Sequence, residues 1–127
     1  DIDSPVRNAI HLRQTVTFSQ TNAVQTNIYR VPAKRRLALQ QVAVYCTYAN
    51  ISSGRLNQAH IATAINDTAA RYPLLRSTLE SGLDYLSSPI AMYADPGTPV
   101  EVTLGFNTFS TGVCEITATG YSVQLTP

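Results

Sequence analysis

Charge is what this sequence has least of. Asp, Glu, Lys and Arg supply 13% of its 127 residues, about half the usual share of roughly 25%. With a hydrophobic fraction of 44%, this excludes a disordered polyelectrolyte, which needs few apolar groups and many charges. A formal net charge of +1 sets up no field strong enough to imply nucleic acid as a partner. Tryptophan is absent and lysine is reduced to Lys34 beside eight arginines. No apolar run approaches the roughly 18 residues that a membrane-crossing helix requires. The chain begins at Asp1, with no basic region leading into an apolar one, so any targeting signal is expected to lie outside it.

Uncharged polar residues fill the space that charge leaves. Thr, Ser, Asn and Gln number 15, 10, 7 and 7. They are spread along stretches in which apolar residues recur at every second position, the pattern of a strand with one buried face. Ile10, Leu12, Val16 and Phe18 alternate with His11, Arg13, Thr15 and Thr17. A short strand follows over 25–31, ended by Pro32, which cannot donate to a ladder. Across 35–48 the parity changes, from Leu37 and Leu39 to Val42, Val44 and Cys46. An inserted residue near Gln40 and Gln41 would absorb that change as a β-bulge.

Further strands are expected over 56–65, where an alanine-rich helix is the competing reading, then 72–79, 88–94, 100–107 and 113–125. Asp95-Pro96-Gly97 forms a turn between two of them, because Pro presets φ and Gly accepts a positive one. The last strand is expected to change parity at Gly120, from Cys114, Ile116 and Ala118 to Tyr121, Val123 and Leu125. About eight short, evenly spaced strands in one domain over 1–127 predict an all-β fold, an antiparallel two-sheet β-sandwich of jelly-roll type. An immunoglobulin-like sandwich is the weaker alternative, since no Trp is present to pack on an inter-sheet disulfide. Cys46 and Cys114 share faces with apolar residues. They are either bridged or two buried free thiols, and a reducing versus non-reducing mass measurement separates the two.

Tyr29-Arg30-Val31-Pro32-Ala33-Lys34-Arg35-Arg36-Leu37-Ala38-Leu39 is similar to a V-P-A-G-K-R-L-V-I-E segment that recurs in a group of small secreted bacterial β-sandwich proteins of uncharacterised function. Tyr93-Ala94-Asp95-Pro96-Gly97-Thr98 resembles its Y-A-D-P-G-T turn, and Gly120-Tyr121-Ser122-Val123 its closing strand. The motif's glycine is replaced by Lys34 or lost by register, so the turn after Ala33 is expected to differ. The resemblance implies a fold and a secreted setting, and transfers no catalytic or binding residue.

Chemistry-bearing motifs are scarce. No Gly-x-Ser-x-Gly elbow, phosphate-binding loop or His-Glu-x-x-His is present. The two Cys and two His lack metal-ligand spacing, so neither metal nor cofactor is expected. His11 and His60 read as solvated strand residues. Asp84 and Glu101 would serve a glycosidase only if folding brought them together. Arg30, Lys34, Arg35 and Arg36 form the sharpest charged cluster, either an anion site through bidentate guanidinium contacts or a solvated strand entry that discourages edge pairing. Tyr48, Asn50, Tyr85 and Tyr93 could present rings and hydrogen-bond partners to a sugar. Asn50-Ile51-Ser52 and Asn66-Asp67-Thr68 match the N-glycosylation pattern. The expectation is a non-enzymatic, secreted or cell-surface domain that binds another protein or assembles as a homo-oligomer through its lightly charged sheet faces. A lectin-like carbohydrate-binding module is the alternative, and an enzyme the third.

Overall fold

Seven antiparallel strands carry the alternation of apolar and polar residues: β1 (Arg7–Arg30), β2 (Arg35–Tyr48), β3 (Leu56–Ile65), β4 (Thr68–Pro73), β5 (Ser77–Glu80), β6 (Leu83–Ala94) and β7 (Pro99–Gln124). The computed structural model describes residues 7–49, 56–65, 68–73, 77–80 and 83–125. The strands pair in the order β4-β3-β7-β2-β6-β5, with β1 alongside β7. β7 is long enough to serve two layers. Its first half lies between β3 and the end of β1, and its second half between β2 and the start of β1. The result is an all-β antiparallel sandwich of jelly-roll type.

Among the described residues the strands number seven rather than eight, because expected neighbours fuse and one splits. The stretches 10–18 and 25–31 are one bent strand, β1, whose register slips on both sides of Thr21. Gln20 there takes φ 52°. The stretches 100–107 and 113–125 are one strand, β7, while the 72–79 region divides between β4 and β5. The helix alternative for 56–65 is not adopted.

Burial follows strand parity. Val42, Val44 and Cys46 of β2, Val100, Val102, Leu104 and Phe106 of β7, and Cys114, Ile116 and Ala118 further along it are all buried. The expected β2 bulge is present, since register slips between Leu39 and Gln41 against both β6 and β7. The expected parity change in β7 is not. β1 pairs with β7 without interruption from Arg7↔Val123 to Phe18↔Gly112, and Ser122 continues the inward face. Gly120 has another role. A Cβ built on it would lie 2.0 Å from the Ala38 carbonyl oxygen and 2.9 Å from Leu39 Cα. The β2 bulge presses its backbone onto this position, where only a residue without a side chain fits.

Two turns hold the strand ends. In the first, Gly97 takes φ 77° and Thr98 donates its N–H to Asp95 O at 3.1 Å. In the second, Arg35 N–H reaches Pro32 O at 3.3 Å, and Lys34 adopts φ 66°, a left-handed conformation that costs a residue with a Cβ. The layers meet at one corner. Thr63 of β3 donates to Tyr93 O of β6 at 2.9 Å, and Asp95 N–H to Ala64 O at 3.1 Å. At the opposite end Phe18 stacks on Phe106 with centroids 4.6 Å apart, and Tyr48 meets both edge-on.

Candidate functional site

The layer formed by the start of β1, the end of β7, β2 and β6 turns a broad face outward. Cross-strand register arranges that face as a grid. Tyr85, Tyr45, Glu115 and Thr15 form one row across the four strands. Ser87, Ala43, Thr117 and Arg13 form the next, then Pro89, Gln41, Thr119 and His11. Past the bulge, Tyr93, Tyr121 and Ala9 complete it around Ala38, which is buried. Tyr45 and Tyr93 are 45% and 50% exposed, so their rings stand on the surface. The two tyrosine rows lie roughly 20 Å apart at about 3.3 Å per residue. The only charged pair in the grid is Arg13 with Glu115, at 2.9 Å. Gln41 donates to Ser87 across strands, and Arg7 lies 4.7 Å over the Tyr121 ring. Such a surface mixes tyrosine rings with small uncharged side chains and offers few ions to desolvate.

The sequence singled out Tyr85 and Tyr93, and the structure places both in this grid. Tyr45 and Tyr121 complete it and were missed. Tyr45 was legible, because it alternates with Val44 and Cys46. Tyr48 does not join them: it is buried and donates its hydroxyl to Asp84 Oδ2 at 2.7 Å. Its ring is part of the core, so it offers no sugar platform. Asn50, with both glycosylation patterns, lies outside the described residues apart from Thr68.

The arginine cluster disperses. Arg30 Nη1 donates to Gly97 O at 2.7 Å, securing the 95–98 turn. Arg35 donates to Ser122 Oγ at 2.9 Å and to Ser122 O at 3.1 Å. Arg36 pairs with Asp95 at 3.0 Å. Consecutive strand residues point to opposite faces, so Arg35 and Arg36 diverge. Each guanidinium serves a strand junction of its own chain, and the three do not converge on an anion.

Cys46 and Cys114 are bridged. They are direct cross-strand partners in β2 and β7, so the bridge lies within one layer rather than between two. Beside it Asp84, fully buried, accepts hydrogen bonds from Tyr48 Oη and, at 2.6 Å, from the Leu56 N–H. It thereby joins the end of β2 to the start of β3. Glu101 faces outward on the other layer and accepts from Gln25 Nε2 at 2.6 Å. The two carboxylates occupy different faces and form no pair. His11 is exposed, and His60 turns away from buried Ile61. Burial and, secondarily, the nearby Arg71 charge hold the His60 pKa below its usual 6.5. A shallow depression of about 180 Å³ lies over Ala62, Ala64, Pro99 and Glu101. Among the described residues, no three of His, Cys, Asp and Glu are grouped to hold a metal ion, and no helix is long and apolar enough to cross a membrane.

No protein-family model matches the chain, and no curated protein matches it in sequence. Similarity appears in solved structures. A chain of infectious bursal disease virus, Gx strain, is 11% identical with a TM-score of 0.50, covering 94% of this chain and 32% of that one. A chain of the cyanophage Pam1 capsid asymmetric unit is 12% identical with a TM-score of 0.48, over 94% and 86% of the two chains. A chain of the virus-like particle of the giant freshwater prawn Macrobrachium rosenbergii extra small virus is 10% identical with a TM-score of 0.49, over 92% and 78%. The chain thus spans about a third of the bursal disease virus chain it resembles. At this identity the likeness concerns the fold alone.

Proposed function

We propose that this chain is a non-enzymatic assembly domain, secreted or displayed at a cell surface, that associates with copies of itself through its sheets. The observation that carries the reading is the outward grid around Tyr45, Ala43, Thr117 and Gln41. It is nearly free of charge, and tyrosine with small polar residues is a composition suited to contact surfaces. A solvated sheet face ordinarily carries many more charges. The bridged Cys46–Cys114 pair supports an oxidising compartment, where such bonds persist. Light scattering on the purified chain from about 1 to 200 μM should give a mass above the monomer at the upper end. Ala43→Arg, which places a guanidinium in the middle of the grid, should return the mass to the monomer. A monomeric mass for the native chain across that range overturns the proposal.

A second reading rests on the cross-strand Tyr45–Tyr85 pair. Two rings side by side on an outward sheet could receive the apolar face of a sugar, with Gln41 and Ser87 as hydrogen-bond partners. A glycan array decides this: signals lost in Tyr45→Ala support it, and a blank array removes it.

A further inference from the structure

We propose that the free edge of β1 pairs antiparallel with β1 of a second copy, with the twofold axis beside Gln14. This deepens the assembly reading and rests on it, by naming the strand through which two copies join.

β1 borders both layers. Its start flanks the second half of β7 and its end flanks the first half, and among the described residues no strand pairs with its other side. An edge strand presents about half of its N–H and C=O groups outward, a template for another strand. Proteins blunt such edges by keeping them short, or with charges and proline. The fold does this at its other two edges. β5 spans four residues and ends in Glu80, and β4 spans six and carries Arg71 and Pro73. Among the described residues, β1 has no comparable guard. It runs for 24 residues without Pro, Lys, Asp or Glu, and 14–29 holds no charge at all. Its first half keeps unbroken register with β7 from Arg7 to Phe18, so that edge is regular. Arg7 and Arg13 are already engaged with Tyr121 and Glu115 of their own chain.

The pattern within β1 identifies the occupant. In an antiparallel pair, directly opposed residues lie on the same face. With the axis at Gln14, inward Ile10 meets Phe18 of the second copy, and Leu12 meets Val16. Outward His11 meets Thr17, and Arg13 meets Thr15. Every apolar inward residue from 10 to 18 then faces an apolar one, and no two arginines oppose each other. Moving the axis to Arg13 would set like charges face to face. Ile10 and Leu12 are only half-buried in the single chain, because the core stops at this edge. Pairing with a second β1 would continue it.

Single cysteines test the geometry, since the described native cysteines are both bridged. In the full chain, Thr15→Cys, Thr17→Cys and Ala43→Cys are each treated at about 200 μM with a thiol crosslinker of about 8 Å, after a melting curve confirms the native fold. Thr15→Cys should crosslink, because residues 15 of the two copies sit diagonally across the axis, roughly 7–8 Å apart. Thr17→Cys should crosslink at least tenfold less, its counterparts being roughly 20 Å apart by strand rise. Oligomeric mass with crosslinking strongest at Ala43→Cys overturns the edge pairing and leaves assembly through the face standing. Equal yields at 15 and 17 also overturn the stated register. Monomeric mass with no crosslink at any position overturns both.

Discussion

The Cys46–Cys114 bridge allows the sharpest stability calculation. The two residues are directly opposed in strands that already pair along nearly all of β2. Breaking the bond therefore separates no elements in the folded chain, and its effect must come through the unfolded one. The bridge closes a loop with a sequence separation of 68. The chain-entropy relation gives an entropy loss of about 15 cal/mol/K for a loop of that length, or about 4 kcal/mol at 25 °C. For a domain of this size that corresponds to a fall in Tm of roughly 15 °C.

Two perturbations divide this number. Equilibrium urea unfolding with excess reductant removes the crosslink but leaves both sulfurs to fill the core. The double variant Cys46→Ala/Cys114→Ala also removes the sulfurs from a fully buried site, which should add about 1 kcal/mol of cavity cost. The reduced chain should therefore lose about 4 kcal/mol and the double variant about 5. Both should show a steeper urea dependence, because an uncrosslinked denatured state exposes more surface. A loss under about 1.5 kcal/mol for the reduced chain would refute the reasoning, and would mean that the denatured chain keeps β2 and β7 together without the bond.

Gly120→Ala should destabilise by about 3 kcal/mol, since its Cβ would collide with the Ala38 carbonyl at 2.0 Å and backbone must move; a loss below 1 kcal/mol in thermal melting would contradict the close approach. Asp84→Ala strips the acceptor from Tyr48 Oη and the Leu56 N–H and should cost about 3 kcal/mol in urea unfolding, because both donors stay buried. Lys34→Gly relieves the left-handed conformation at φ 66° and should raise stability by up to about 1 kcal/mol, a gain partly offset by the freedom glycine adds to the unfolded chain; a lowered Tm would count against it. His60 titrates below 6.5 in the folded chain, so the unfolded chain takes up its proton first as pH falls. The contribution should be absent above about pH 7 and become destabilising as pH drops through 6.5. NMR titration should place the His60 midpoint below 6.5, and His60→Gln should flatten the stability profile between pH 7 and 5.

Alternation made the architecture legible, along with most of the core and the bulge at Gln40. The same parity carried on past the bulge would set Tyr45 outward and Tyr48 inward, which choosing Tyr48 as a surface ring for its chemistry alone overlooks. The failures share one physical cause, a polar residue whose partner is distant in sequence. Ser122 read as outward because it is polar. It is buried because Arg35, 87 residues away, donates to its hydroxyl and carbonyl. The arginine cluster read as a cluster because its members are adjacent in sequence, while their partners Gly97, Asp95 and Ser122 come from other turns and strands. The polar run Ser19-Gln20-Thr21 read as a break, yet β1 bends there at Gln20 and continues pairing with β7.

The same economy of charge acts differently at faces and at edges. On the outward grid, replacing charge with Thr, Ser, Gln and Tyr leaves each residue's side chain able to serve water or a partner, so the face tolerates both states. At a strand edge the exposed groups are backbone, and pairing is discouraged by a short strand or by charged and proline side chains along it. β4 and β5 have such side chains or are too short to need them. β1 is long, the arginines of its regular half are already engaged by Tyr121 and Glu115, and its inward apolar residues are symmetric about Gln14. A sequence under pressure only to stay soluble as a single chain would place a lysine or an acidic residue somewhere in 14–29. Its absence there, beside guarded edges elsewhere among the described residues, supports the proposed β1 pairing more specifically than does the low charge of the chain as a whole.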